Sequence, residues 1–205
     1  MLSPAAIKNS KNYCNNPVYM ARLNDFLLNV DLNELVRYIE IHGTPRLYHK
    51  DESMCGQGEV CRRIAVIRRG YFKYSVINAT GGQCITGFSF HGEVVTDFVC
   101  SFVSDKPAFT SVSAGCEAEV IEADLNIVRQ FMAEAHPDFV GRTSSHLLVE
   151  AYRRYLDLHT KTPKQRYVDL ISRCHEDISL IPLQEIASYL SISRRQLQRI
   201  RETIA

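Results

Sequence analysis

The chain has 205 residues, of which 45% are apolar and 23% are charged, and its formal net charge is +1. This composition excludes an intrinsically disordered chain, and no apolar run reaches the roughly 18 to 20 residues of a membrane-spanning helix. The first residues, MLSPAAIKNSKNYCNNP, lack the apolar run of a signal peptide. We therefore expect a soluble, cytoplasmic protein without a membrane partner, built as one large domain or two small ones.

The seven cysteines do not form a recognisable metal-binding motif. No two of them make C-x-x-C, and the nearest pair, Cys55 and Cys61, is six residues apart. No cysteine and histidine pair has zinc-finger spacing, and four closely spaced ligands for an iron–sulfur cluster are missing. We expect reduced thiols that are mostly buried, and the sequence identifies no cofactor.

The first predicted element is a helix over residues 23–41, which are rich in leucine and helix formers. Gly43 and Pro45 end it. From about 45 to 123 the segments become short, β-branched or aromatic, and separated by glycine-containing turns. Regular short strands of this kind indicate a β-sandwich or a β-roll.

Two segments of this region alternate with the period of two that is typical of strands. In residues 71–77 the alternating sets are Phe72, Tyr74 and Val76 against Tyr71, Lys73 and Ser75. In residues 117–120 we expect Ala118 and Val120 to face inward and Glu117 and Glu119 outward. Residues 78–83, NATGGQ, are predicted to form a hairpin turn on Gly81 and Gly82.

Helices return after residue 124. The first covers 125–136 and ends at Pro137, and the second runs from about 138 to 160. The second carries two neighbouring apolar stripes, which are Leu148, Ala151, Tyr155 and Leu158, and Val149, Tyr152, Leu156 and His159. Its other side is expected to hold Glu150, Arg153, Arg154 and Asp157.

We predict that one stripe packs on the strand domain and that the second packs on the same helix of another copy, in a parallel dimer. The predicted dimer interface is Leu148, Ala151, Tyr155 and Leu158. The alternative is one wide stripe buried within a single chain.

The last helices predict a helix-turn-helix. After a helix over 162–177, residues 183–190 form a short helix and 191–193 a turn, and Ser193 and Gln196 make a capping-box pair that starts a new helix at Arg194. The inward positions are Ile186, Ala187, Leu190, Ile192, Leu197, Ile200 and Ile204. The side chains left outside are Arg194, Arg195, Gln198, Arg199 and Arg201.

Those side chains suit the major groove of DNA, because arginine can bind guanine O6 and N7 with both arms and glutamine can pair with adenine. Residues 161–205 carry a net charge of +3, and the first 160 residues carry −2. The predicted DNA-binding residues are Ser193, Arg194, Arg195, Gln198, Arg199 and Arg201. The alternative is a charged face that contacts only solvent.

The whole chain resembles the Crp/Fnr family of bacterial transcription regulators. The family pattern Ser-Arg-x-x-x-x-Arg matches Ser193, Arg194 and Arg199, while Ser191 stands where glycine is usual. The resemblance implies an α+β fold with an N-terminal β-roll, a double-stranded β-helix of the cyclic-nucleotide-binding type. It also implies three parts, namely a sensor domain over 1–137, a dimerisation helix over 138–160 and a helix-turn-helix domain over 161–205.

The resemblance extends in part to the family's phosphate-binding cassette, which carries Gly-Glu and then Arg-Ser/Thr about ten residues later. Gly92 and Glu93 match, but no arginine precedes Thr110 and Ser111, and Lys106 is the only cation nearby. The predicted ligand-binding residues are therefore Gly92, Glu93, Thr110 and Ser111. Because a buried phosphate would lack its arginine, we expect no tight binding of cyclic AMP. The roll would bind another ligand or be filled by Phe98, Phe102 and Phe109.

The sequence thus predicts a sequence-specific DNA-binding transcription regulator with an unidentified effector, and not an enzyme. Its expected partners are double-stranded DNA and a second copy of the chain, and the resemblance implies RNA polymerase as a further candidate. One alternative is a cyclic-nucleotide-binding module that acts through protein contacts. Another is a cupin-like metal enzyme with His91 and Glu93 as ligands.

Overall fold

The structure is a computed structural model that describes residues 23–24 and 32–204. Eight strands form two four-stranded antiparallel sheets, with the strand orders β1-β8-β3-β6 and β2-β7-β4-β5. The strands are β1 (Thr44–Tyr48), β2 (Ser53–Cys55), β3 (Arg63–Arg69), β4 (Phe72–Ile77), β5 (Gln83–Ser89), β6 (Val94–Val95), β7 (Ser111–Ala114) and β8 (Ala118–Asp124). The predicted β-roll is confirmed.

The two sheets face each other across an apolar core. Tyr48 of the first sheet packs edge-on against Phe72 of the second, with ring centroids 5.2 Å apart. In β8, Ala118 and Val120 are buried while Glu119 is exposed, as the alternation predicts. The hairpin turn between β4 and β5 forms around Asn78, whose side-chain oxygen accepts hydrogen bonds from two backbone amides of the turn.

The helices follow the predicted order. They are α1 (Asn33–His42), α2 (Leu125–Ala135), α3 (Phe139–Thr160), α4 (Pro163–Cys174), α5 (Leu183–Tyr189) and α6 (Arg194–Glu202), with a π-helical segment at Phe98–Phe102 and a 3-10 segment at His175–Leu180. The predicted lead-in helix over 23–41 is described only in part, as α1, because residues 25–31 lie outside the described residues. In the part of the chain that the structure describes, no helix has the length and apolar character that crossing a membrane requires.

Two apolar clusters stabilise the fold. The first lies inside the roll and includes the buried faces of α1 and α2. The second joins the roll to the last helices, because Tyr71, Phe88 and Phe90 of the roll pack with Ala187 and Leu197 of α5 and α6. The predicted divisions at residues 138 and 161 remain predictions.

The prediction for α3 was wrong in one respect. Neither apolar stripe packs on the roll; the inward side is instead a row with helical spacing, formed by Phe139, Thr143, Leu147, Glu150 and Arg154. Glu150 and Arg154 had been expected on the opposite side. They face inward because their charged groups find partners within the chain.

In the described part of the chain, five cysteines are free thiols, namely Cys55, Cys61, Cys84, Cys100 and Cys116. Of these, Cys55, Cys61 and Cys100 are buried, and Cys174 is buried as well. Cys14 lies outside that part. The described residues contain no group of three or more histidine, cysteine, aspartate or glutamate side chains that could hold a metal ion. His91 contacts the backbone carbonyl of Arg68 through Nδ1.

Candidate DNA-binding surface and sensor cavity

The turn between α5 and α6 has the geometry that a helix-turn-helix needs. Ser191 adopts the left-handed conformation, with φ of 56°, where most side chains are strained. The amide of Ser191 donates to Ser188 O and that of Ile192 to Ala187 O, the two bonds of a Schellman motif. Arg166 of α4 donates to the carbonyl of Leu190 at 3.1 Å, which satisfies another helix-end acceptor.

The predicted capping box at the start of α6 is present. The side-chain Oε1 of Gln196 accepts from the amide of Ser193 at 2.9 Å, and Ser193 Oγ accepts from the amide of Gln196 at 3.2 Å. These bonds satisfy two amides that the helix start would leave open. Ser193 itself is exposed but acts as the helix cap.

The buried side of α6 is narrow. Leu197 is completely buried against Ile186, Ala187 and Leu190 of the preceding helix and turn. Ile192 and Ile200 are partly buried, whereas Ile204, which was expected to face inward, is exposed. Ala187 has no bulk beyond Cβ, which allows α5 and α6 to cross closely.

The outward side of α6 concentrates positive charge. Its exposed residues include Arg194, Arg195, Gln198, Arg199 and Arg201. Four arginines against Glu202 make a net charge of +3 over Arg194–Glu202. None of these arginine side chains forms an ion pair with a described residue. Their guanidinium groups therefore remain available to bind phosphates or base edges.

A cavity of about 440 Å³ lies between the roll and α3. Its walls come from α1 and the described residues before it, β3 to β6, the π-helical segment and α3, and one wall contains Tyr189 of α5. Aromatic and aliphatic side chains make up most of the lining. The polar residues of the lining include Thr86, Thr96, Thr110 and Thr143, together with the charged residues Asp97, Glu150 and Arg154.

The structure does not bring the four predicted ligand residues together at this cavity. Thr110 lines it, whereas Gly92, Glu93 and Ser111 do not. Glu93 is buried, and its Oε2 accepts from Asn24 Nδ2 at 2.7 Å and from the amide of Phe90 at 3.0 Å. Ser111 Oγ accepts from the amide of Gln57 at 2.9 Å. These four residues remain a prediction as a ligand site.

The aromatic side chains expected to fill the roll divide into two groups. Phe98 and Phe102 line the cavity and stack on each other, with ring centroids 5.1 Å apart. Phe109 lies at the surface, where 73% of it is exposed. It was therefore wrongly assigned to the interior.

Arg154 connects the cavity to the helix-turn-helix, a role that the sequence analysis missed. Its guanidinium group donates to the carbonyl oxygen of Thr86 on β5 and lies 4.2 Å from the ring centroid of Tyr189 on α5. The spacing of Thr143, Leu147, Glu150 and Arg154 along one side of α3 was the only sequence signal for this face.

Two tyrosines beside the cavity keep their hydroxyl groups neutral. Burial raises the pKa of Tyr74 to about 12, although hydrogen bonds to Ser89 and to the backbone of Thr96 act in the opposite direction. Burial also raises the pKa of Tyr189, while Arg154 lowers it. Both hydroxyl groups therefore stay protonated near neutral pH.

A second link joins the helix-turn-helix to the outer surface of the roll. Lys73 of β4 is buried, and its Nζ lies 2.7 Å from carboxylate oxygens of both Glu185 on α5 and Asp51. Tyr71 donates to the other oxygen of Glu185 at 3.0 Å. Ser188 Oγ accepts from the amide of Ile85, which adds a hydrogen bond along β5.

The outward side of α3 is apolar, and no residue in the part of the chain that the structure describes covers it. Leu148 is 70% exposed. The other apolar residues exposed on this side are Val149, Tyr152, Tyr155, Leu156 and Leu158. Of the four residues predicted for a dimer interface, Ala151 also reaches the edge of the cavity.

No protein-family model matches the sequence, and no curated protein matches it significantly. Solved structures do match. FixK2 from Bradyrhizobium japonicum has a TM-score of 0.67 at 17% identity, and the match covers 79% of this chain and 84% of that chain.

Two further solved structures are also similar to this chain. The c-di-GMP-responsive global regulator CLP of Xanthomonas campestris has a TM-score of 0.62 at 15% identity, with 84% of this chain and 91% of that chain covered. The catabolite activator protein of Thermus thermophilus has a TM-score of 0.52 at 14% identity, with 87% and 86% covered. These similarities confirm the predicted fold, a cyclic-nucleotide-binding-type roll, a long helix and a helix-turn-helix, as in Crp/Fnr regulators.

Proposed function

We propose that this chain, with its Crp/Fnr-type fold, is a homodimeric transcription regulator that binds specific DNA sequences and senses a small molecule through its roll. The observation that carries the proposal is the exposed arginine face of α6, which forms no ion pair with a described residue and follows a capped turn on the second helix of a helix-turn-helix. In this motif the second helix enters the major groove and its first residues contact base edges. No enzymatic activity is proposed.

The exposed apolar side of α3 supports the dimer. Leu148, Tyr152 and Tyr155 would leave water by packing on the same helix of a second copy. A two-fold dimer presents two copies of α6, so we expect a pseudo-palindromic site with half-sites about one helical turn apart. RNA polymerase is a candidate partner of the complex between the dimer and DNA.

The effector that we propose is not a cyclic nucleotide. Glu93, which a ribose hydroxyl would need, is buried, and its Oε2 already accepts from Asn24 and from the amide of Phe90. Between Asp105 and Val112 the sequence offers no arginine for the phosphate, and Arg62 is paired with Asp105 at 2.6 Å.

The direct test is selection of bound duplexes from a random DNA pool with the purified full chain. We expect enrichment of a pseudo-palindrome, with an affinity that falls as salt rises because phosphate contacts release counterions. In comparison, Arg199→Ala should weaken the enrichment and relax base choice. The matched control is Arg37→Ala, which removes an exposed arginine from α1 and should leave the enrichment unchanged. If the parent chain enriches no sequence, the proposal is wrong.

A further inference from the structure

The cavity between the roll and α3 has the size and lining of a small-molecule site. Its volume of about 440 Å³ falls within the roughly 300 to 1,000 Å³ that such sites span. The apolar lining is formed chiefly by Leu35, Phe88, Val94, Phe98, Phe102 and Phe139. A molecule that fills it would therefore bury mainly apolar surface.

The acidic groups at the cavity are already bound within the chain. Asp97 Oδ2 accepts from the amide of Ser101 at 2.7 Å, which caps the π-helical segment. Glu150 Oε1 accepts from Arg173 at 3.1 Å, and its Oε2 lies 3.4 Å from Arg153. The two carboxylates in the wall would repel an anionic ligand. Each already has a partner within the chain, so neither needs a positively charged ligand to stabilise it.

The one cation in the described lining is also engaged. Arg154 donates to Thr86 O and lies over the ring of Tyr189. The guanidinium keeps its charge and its other N–H donors, but an anionic ligand would also face the carboxylates of Asp97 and Glu150, and a cationic ligand would face Arg154. The electrostatics of the cavity therefore favour an uncharged molecule.

Thr143 supplies the group that would orient such a molecule. It lines the cavity and is only 4% exposed, and its hydroxyl has no hydrogen-bond partner among the described residues. Ser145 on the same helix differs, because its hydroxyl donates a hydrogen bond to the carbonyl oxygen of Gly141 at 2.9 Å. A buried hydroxyl that lacks such a bond is unfavourable until a ligand supplies a partner.

We propose that the cavity binds an uncharged, mainly apolar small molecule that hydrogen-bonds to the hydroxyl of Thr143. This inference rests on the proposed function, since it names the chemical class of the effector. Because Tyr189 of α5 forms part of the wall, the bound molecule would contact the helix-turn-helix as well as the roll.

The test uses two dyes with the same aromatic rings and different charge. N-phenyl-1-naphthylamine is uncharged and has one N–H, and 8-anilino-1-naphthalenesulfonate adds a sulfonate. We expect the full chain without DNA to bind one neutral dye per chain, at least about tenfold more tightly than the sulfonate, and to retain it in millimolar cyclic AMP. Equal affinity for the two dyes, or displacement by micromolar cyclic AMP, overturns the proposal.

Variants of the cavity residues test whether the dye binds at this site. Thr143→Val keeps the shape but removes the hydroxyl, so neutral-dye affinity should fall about fivefold, whereas Ser145→Ala should leave it unchanged. Leu147→Trp should fill the cavity and abolish binding, and Val94→Phe fills the opposite wall if the first variant does not fold. If Thr143→Val and the folded cavity-filling variant both bind the dye as the parent does, this site is refuted.

Binding of selected DNA is measured on the same preparations without dye. A chain that selects DNA but fails the dye test refutes the cavity proposal alone. A chain that passes the dye test but selects no DNA refutes the proposed regulator and confirms the cavity as a binding site.

Discussion

The inner and outer faces of the helical half differ in which interactions are already made. On the inner face, where α3 and α5 meet the roll, Glu150, Arg154 and Glu185 each have a partner within the chain. On the outer face, the arginines of α6 have no ion-pair partner in the described part of the chain, and Leu148 on α3 is mostly exposed.

This difference separates two kinds of substitution. A change on the inner face removes a bond inside the chain and should alter its free energy of unfolding. A change on the outer face removes no internal bond and should alter association with DNA or with a second copy. Five substitutions test this division, from the largest expected effect to the smallest.

The largest effect is expected for Leu148→Glu on the outer face of α3. In a two-fold dimer it places two carboxylates in the apolar contact, and each buried charge costs several kcal/mol, so the dimer should weaken by about 4 kcal/mol or more. Light scattering at micromolar concentration should show a monomer.

The control for this change is Ile127→Glu, which puts the same charge on an exposed apolar position of α2. It should leave the dimer intact. A parent chain that is itself monomeric at micromolar concentration would contradict the proposed use of this face.

The arginines of α6 come next. Arg194→Ala and Arg199→Ala should each weaken binding of selected DNA by about 1 to 3 kcal/mol and relax base choice. Fluorescence anisotropy measures the affinity, with Arg37→Ala as the control. The free energy of unfolding should stay within about 0.5 kcal/mol of the parent value, as is usual for surface positions. Unchanged DNA affinity in both variants would remove α6 as the recognition helix.

On the inner face, Glu185→Gln should lower the free energy of unfolding by about 1 to 2 kcal/mol. Lys73 then loses one charged partner but keeps Asp51, which limits the effect. Chemical denaturation gives the value, and Glu34→Gln on the exposed side of α1 is the control. No loss of stability would show that the contact between α5 and the roll contributes nothing.

The ion pair of Lys73 and Glu185 also predicts that the stability of the chain depends on pH. Burial acts to lower the pKa of Lys73, but hydrogen bonds and charge attraction from Asp51 and Glu185 raise it above the ordinary 10.5 overall. A lysine with a raised pKa stabilises the fold below its ordinary pKa and ceases to do so as pH rises through the folded value. The difference in the free energy of unfolding between the parent chain and Glu185→Gln should therefore have its full value at pH 8 and become smaller above pH 10.5.

The smallest effect is expected for Thr143→Val, and it is a gain. Removing a buried hydroxyl that has no partner among the described residues should raise the free energy of unfolding of the ligand-free chain by about 1 kcal/mol. Ser145→Ala, whose hydroxyl is exposed and bonded, should change it by less than about 0.5 kcal/mol. A stability loss in Thr143→Val would mean that the hydroxyl is satisfied in solution.

The helix-turn-helix could be predicted because its signals are local. The capping pair Ser193 and Gln196 is three residues apart, and the left-handed conformation of Ser191 follows from its place in a short turn. The alternation of Ala118, Glu119 and Val120 likewise predicted which side of β8 is buried. Each of these patterns describes neighbours in the chain, so no distant partner was needed to interpret them.

The inner face could not be predicted in this way. Lys73 lies on the polar side of an alternating strand, and it is buried because Glu185, 112 residues further on, comes to meet it. Glu150 and Arg154 had been assigned outward as charges on a helix, but Arg173 and the carbonyl of Thr86 make their inward position favourable.

The sequence by itself determined the order of strands and helices, the capped turn before α6 and the concentration of arginine on that helix, because periodicity and capping depend on residues a few positions apart. Only the tertiary structure decided which side of α3 faces the roll, which ligand residues line the cavity and where Lys73 lies. A charged or polar side chain is stable inside only when a partner is present, and here those partners are supplied by residues far away in the chain.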